Sequence, residues 1–383
     1  MKRLILFLFT NAIISVYTST FSLAQNARLI NSKLDSAYQL AKSKPDQGFL
    51  LATEVLEESK QTLLDSLIGK AQLVRGKILL QFGLFQPAAE AFYEAEHIFQ
   101  QYELPSLLAQ VNNGLGQVYY KIKTAEDALL RHEAALNIYQ KLRNEEGEAE
   151  TISFIGGMYE NMGSYPKALE HQRVALKIFE ELHLSSQLAF VRENIGSIYE
   201  DLGQYDSAYS NFRKAYVLNT ALGDSLRMIG NLNNLGDVLR KTREPEQGLL
   251  YSVKAAEMSG RLGSLYQQKS AVVDISKAYA EMRDYENAYK YLEQSRQLSD
   301  LVYSEESARQ FAIQEAHNSL FAKNQQINQL EQMRDFDTKV KWLLLFLVIL
   351  LSVLGWVILN RQKLKIKSNR ELLQRQEEIL LVK

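Results

Sequence analysis

Cysteine is absent from all 383 residues. That absence removes disulfides, thiolate nucleophiles, zinc ribbons and iron–sulfur ligation at once. Proline is scarce, at 5 residues, and 19 glycines are too few for a linker-rich or turn-rich all-β chain. Neither sign of charge prevails, with 44 Lys and Arg against 45 Asp and Glu, so no basic face for nucleic acid is implied. Histidine is limited to His97, His132, His171, His183 and His317. The string HEAAL at 132–136 opens like a zinc-protease helix but holds Leu136 where a second His is required. His132 and His171 fall on neighbouring segments, yet no carboxylate follows at ligand spacing, so no metal site is expected. Ser164-Tyr165-Pro166-Lys167 fits an S-x-x-K string, but the companion S-D-N and K-T-G strings are missing. Ser164 reads better as a helix N-cap ahead of Pro166. No catalytic residue and no cofactor are expected, and the chain does not read as an enzyme.

What is present is helix-forming sequence between two membrane-directed ends. Lys2 and Arg3 precede the apolar run Leu4–Phe9, and small residues lead to Ser22-Leu23-Ala24. This is the pattern of a secretory signal peptide over 1–24, with cleavage after Ala24. Residues 342–359 are apolar except for Ser352 and Gly355. At ~1.5 Å per residue they span about 27 Å, close to the hydrocarbon thickness of a bilayer. RQKLKIKSNR at 361–370 has five Lys or Arg and no acid. The positive-inside rule therefore places the tail, 360–383, in the cytoplasm and the preceding residues in the periplasm of a bacterial inner membrane.

Between these ends runs a ruler of forty residues. Gly76, Gly116, Gly156, Gly196 and Gly236 keep that spacing, and Ser276 takes the next place. Twelve residues after each come Ala88, Ala128, Ala168, Ala208, Gly248 and Ala288; seven later come Ala95, Ala135, Ala175, Ala215, Ala255 and Ser295. Ser36 and Gly48 suggest a degenerate first unit in register. Within a unit apolar residues recur at three and four, as in Leu115, Val118, Tyr119 and Ile122, so each unit is a helical hairpin. Small residues at the anchor places let the helices approach closely. Gly83, Gly163 and Gly203 suit left-handed turns after the first helix. No hairpin buries its apolar stripe alone, so each leans on its neighbours.

LGQVYY, IGGMYE, IGSIYE and LGDVLR, followed by EDALLRHEAAL, PKALEHQRVAL, DSAYSNFRKAY and EQGLLYSVKAA, resemble the tetratricopeptide repeat. The period of forty is longer than the usual 34 and is similar to that of kinesin light chain. The early Trp of that family is replaced by Asn112, Ile152, Arg192, Leu232 and Val272. The resemblance implies an all-α fold: a right-handed α-solenoid of about seven hairpins over 25–300. It also implies that first helices line a concave face that takes a peptide or protein. Groove places carried across are Asn113, Gln117, Glu193, Asn194, Asn233, Asn234, Asp237 and Arg240. Their amides offer a donor and an acceptor each to an extended backbone.

After Ser295 helix-forming sequence continues without Gly or Pro to Lys341. Residues 301–341 read as a stalk helix, with Ile313, Ala316, Leu320, Ile327 and Leu330 approximating a heptad seam; Ile366, Leu373 and Leu380 fall seven apart in the tail. Both segments invite a homodimer. The order of parts resembles bacterial membrane sensors whose coil leads to a histidine kinase or helix-turn-helix output module. The 24 residues after Leu359 have no room for either. Two readings stay open: the sensory part of a signalling system, or a periplasmic scaffold whose span only anchors it.

Overall fold

The computed structural model describes residues 25–41, 44–61, 65–122 and 124–381. The expected signal peptide at 1–24 lies outside them. Every regular element among the described residues is a helix. Residues 25–41 form α1. There follow α2 (Pro45–Gln61), α3 (Asp65–Gln81), α4 (Phe85–Gln101), α5 (Pro105–Lys121), α6 (Ala125–Leu142), α7 (Glu145–Asn161) and α8 (Tyr165–Glu181). The series continues with α9 (Ser185–Asp201), α10 (Tyr205–Leu222), α11 (Ser225–Lys241), α12 (Pro245–Leu262), α13 (Leu265–Glu281) and α14 (Tyr285–Leu381). First helices thus begin at 65, 105, 145, 185, 225 and 265, the forty-residue ruler of the sequence. Consecutive helices pack as antiparallel hairpins, and α3, α7 and α11 also touch the next first helix, α5, α9 and α13. This is an α-solenoid.

The anchor residues explain the spacing. Ala88, Ala128, Ala168 and Ala208 are wholly buried where each second helix crosses its partner. A Cβ added to Gly76 would meet the Phe92 ring, and one added to Gly196 would meet the Phe212 ring, at 2.6 and 2.5 Å. The large filler sits where the glycine leaves room. In the sixth hairpin the filler shrinks to Ser252 and the backbones close up. There a Cβ on Gly248 would lie 2.6 Å from the carbonyl oxygen of Gly236, so the usual Ala does not fit. Around these crossings lie clusters such as Ile152, Phe179, Val191, Ile195 and Ile198.

Among the described residues, turns spaced by multiples of twenty close on a left-handed residue. Gly83, Gly163 and Gly203 hold φ near +70°, as the sequence implied, and Gly223 and Gly263 do so between hairpins. Glu103, Arg143, His183, Arg243 and Arg283 adopt the same conformation without being glycine. Ser164 occupies its N-cap place but makes no side-chain cap bond; Asn144 and Asp224 do, accepting from the amides of Gly147 and Arg227. Tyr159 and Tyr199 are half-buried, their rings packed on core clusters. The Tyr199 hydroxyl accepts a hydrogen bond from Arg173.

Two compact units divide the chain, Met1–Ile313 and Gln314–Lys383. In the first, burial along α14 passes residue 300: Leu298, Val302 and Ile313 are buried, and Gln310 donates to the Phe82 carbonyl at 3.3 Å. In the second, a segment within Gln332–Asn369 is long and apolar enough to cross a membrane, with none of its side chains buried. Acid-to-lysine pairs one turn apart, Asp335–Lys339 and Asp337–Lys341, lead into it.

Candidate functional site

The first helices α3, α5 and α7 share one face, and a cavity of about 690 Å³ opens there. Its walls carry Lys77 from α3, Gln110, Asn113 and Gln117 from α5, and Glu146, Glu150 and Phe154 from α7; Tyr38 and Tyr139 close the sides. These are equivalent places in successive repeats. Lys77 answers to Gln117, Gln110 to Glu150, and Gly114 to Phe154, each pair forty apart. Repetition therefore builds a wall whose chemistry changes while its geometry does not.

The cavity is polar and internally opposed in charge. Lys77 Nζ donates to Gln110 Oε1 at 2.9 Å and lies 5.5 Å from the Tyr38 ring centroid. The surrounding protein pushes the Lys77 pKa down, and the attraction of Glu150 across the cavity resists that shift. Glu150 shows the mirror effect. Its side chain reaches the cavity, but enclosing protein raises its carboxyl pKa; Lys77 pulls the other way and Glu146 adds to the rise. Burial likewise raises the Tyr139 phenol, so the ring meets the cavity uncharged. One wall thus offers an ammonium donor, another offers carboxylate acceptors, and amides lie between.

Asn113 also reaches into the core. Its amide nitrogen donates to Thr151 Oγ1 at 2.8 Å, so its oxygen is left to accept from His132 Nδ1 at 2.9 Å. That fixes the His132 tautomer, with Nε2 unprotonated against Gly116. Burial pulls the His132 pKa down to about 4, so it is neutral near pH 7. His171 is half-buried and bonds the Lys167 carbonyl instead. Among the described residues no group of three or more His, Asp or Glu side chains is placed to hold a metal ion.

The other groove residues read from the sequence belong to ladders between repeats. Glu193 accepts from Asn231 at 2.7 Å and Asn219 at 3.1 Å. Asn194 is 3.4 Å from Ser153 Oγ, and Asn233 donates to Gln267 at 3.3 Å. Arg240 pairs with Asp237 and, 2.5 Å away, with Glu281; Lys241 bridges Glu200 and Asp237. Those cations hold the Asp237 carboxyl down at about 2. Asn234 is half-buried on α11. The structure therefore brings Asn113 and Gln117 to the cavity and commits Glu193, Asn233, Asp237 and Arg240 to cross-repeat bonds. Sequence reasoning missed Lys77, Gln110, Glu146 and Glu150. The signal was available: stepping forty residues back from Gln117 reaches Lys77, two turns back along the helix from Gln117 reaches Gln110, and forty residues on from Gln110 is Glu150.

Tetratricopeptide-repeat profiles match residues 107–181, 191–220 and 270–298. No curated protein matches the sequence. Among solved structures, the apo form of RapI aligns at 18% identity and TM-score 0.54, covering 71% of this chain and 77% of that one. NprR in complex with its cognate peptide NprX aligns at 16% identity and TM-score 0.51, covering 74% and 82%. A signal transduction ATPase with a tetratricopeptide repeat sensor from Pyrococcus horikoshii aligns at 14% identity and TM-score 0.57, covering 74% of this chain but 44% of its own. At these identities the likeness shows the fold alone.

Proposed function

We propose that this chain, whose residues 107–181, 191–220 and 270–298 match tetratricopeptide repeats, is a membrane-anchored receptor for a peptide or protein segment. The observation that carries this is the cavity on α3, α5 and α7, where Lys77 faces Glu146 and Glu150 across a row of amides. A folded chain segment supplies few free backbone groups, whereas an extended peptide presents a donor and an acceptor at every residue. Amides at Gln110 and Gln117 suit that need. Lys77 suits a carboxylate and the two glutamates a basic group, so the cavity discriminates by charge order along the peptide. The NprR comparison shows a solenoid of this fold holding a peptide, which supports the reading.

In this reading residues 1–24 export the array, 25–300 bind in the periplasm, and 301–341 form a stalk. Residues 342–359 cross the inner membrane, and 360–383 lie in the cytoplasm. The stalk and tail pair two copies. Binding shifts the stalk and passes through the span, which makes the array the sensory part of a regulatory system. No catalytic step, cofactor or metal enters this function. The competing reading, a scaffold that is only anchored, makes a different prediction. Replacing 342–383 with an unrelated single-span anchor leaves a scaffold working and silences a transducer.

A photo-crosslinking residue at Gln110 in the membrane-embedded chain tests the binding site. It is expected to capture a ligand that the same residue at Leu130, an exposed place on α6 outside the cavity lining, does not. Lys77→Glu should reduce that capture at least tenfold. Equal capture at both places would remove the cavity from the function.

A further inference from the structure

The solenoid packs by one recurring device. The outer face of each second helix receives the first helix of the next hairpin. Phe92 of α4 is close enough to α5 that a Cβ on Gly114 would overlap its ring at 2.5 Å. His132 of α6 lies 5.5 Å from the Phe154 ring of α7. Phe212 of α10 joins Leu235 and Val238 of α11 in one cluster. In the last hairpin the equivalent place is Leu292, and it is 56% exposed. Around it Tyr285, Tyr289 and Tyr303 are 68%, 70% and 74% exposed, although Tyr205 and Pro245, the counterparts of Tyr285, are half-buried. The face that six hairpins bury is open on the seventh, and it is apolar and aromatic.

We infer that this face, carried by Tyr285, Tyr289, Leu292 and Tyr303, is a docking surface for the same face of a second copy of this chain. Continuity with the packing between hairpins argues for a helix as the occupant, since a helix fills every earlier face of this kind. The spacing argues for a two-fold, parallel one. Residues 285, 289, 292, 296, 299 and 303 alternate by four and three, which keeps one stripe turned toward a parallel neighbour. Arg296, the one cation among these six positions, is already paired with Glu293 at 2.7 Å, so the stripe itself does not bring bare like charges together. Each copy carries an apolar segment long enough to cross a membrane, so two copies anchored in one bilayer meet from the same side of it. The dimer differs from one made by stalk and tail, because its contacts lie within the repeat array. It does not depend on the ligand reading.

The absence of cysteine makes the test direct. Single cysteines are placed in the full-length chain in its membrane: Leu292→Cys on the stripe and Gln297→Cys on an exposed place about 140° round the helix. Copper-catalysed oxidation is expected to convert most of the Leu292→Cys chain to a species of twice the mass and little of the Gln297→Cys chain. As a second measurement, Tyr289→Glu should weaken dimerisation in detergent at least tenfold without moving the thermal midpoint, because the side chain is exposed in the monomer. Three results would overturn the inference. They are equal or absent crosslinks at the two places, a crosslink from residue 292 to a protein of another mass, or a dimer that crosslinks through Ile366→Cys alone.

Discussion

A left-handed backbone residue is needed every twenty positions, and the chain meets that need unevenly. Gly163 and Arg283 occupy the same place after a first helix with φ of +71° and +63°. For an L-residue that conformation costs on the order of 1 kcal/mol, whereas glycine adopts it freely. Arg283→Gly is therefore expected to stabilise the array by somewhat under 1 kcal/mol, offset in part by the freer unfolded chain, and Gly163→Ala to destabilise it by about 1 kcal/mol. Urea unfolding of both variants checks this, and shifts of the same sign would refute it. Residue identity alone announced the first kind of turn and concealed the second. Nothing in an arginine signals positive φ; the signal is its place on the ruler.

Pairs of helices meet through fillers that differ from hairpin to hairpin, and two of these carry measurable consequences. His132 is neutral in its slot, with a pKa of about 4 against 6.5 when solvated. Between those values the unfolded chain binds a proton that the folded chain refuses, so stability is complete above pH 6.5 and falls as pH drops toward 4. The loss amounts to about 3 kcal/mol at ~1.4 kcal/mol per unit. The next hairpin holds Gln172 at this place, where its amide nitrogen donates to the Ser153 carbonyl at 2.9 Å. His132→Gln should fold equally well near pH 7 and lose this acid sensitivity; parallel denaturation profiles at pH 7, 5 and 4 for both chains would contradict the account. Gly248 tests the other extreme. Its backbone lies so close to Gly236 that Gly248→Ala should cost about 2 kcal/mol, although alanine is the residue at this place in five other hairpins. A thermal midpoint unchanged by that substitution would mean that α11 and α12 separate without cost.

For the whole molecule the decisive matter is which side of a membrane each part occupies. Single cysteines introduced at Asp127 and at Ser368 of this cysteine-free chain, probed in intact spheroplasts with a membrane-impermeant maleimide, report on it. The proposed topology requires labelling at 127 and none at 368 until the membrane is permeabilised. The reverse pattern would place the array in the cytoplasm and end the periplasmic reading.

Periodicity alone determined that this chain is a stack of helical hairpins, because a close-packed crossing tolerates only small residues and repeats them at the length of the unit. It also marked the apolar stretch at 342–359, since eighteen residues without a charge leave few alternatives in water. Side chains facing one another across repeats were a different matter. Asn113, Asn233 and Asp237 occupy comparable places on first helices. Yet Asn113 reaches a cavity while bonding Thr151 and His132, and the others are bound into ladders with Gln267, Arg240 and Lys241. That division depends on which partners lie one repeat away in space, and only the folded superposition of units brings them within a hydrogen bond's length.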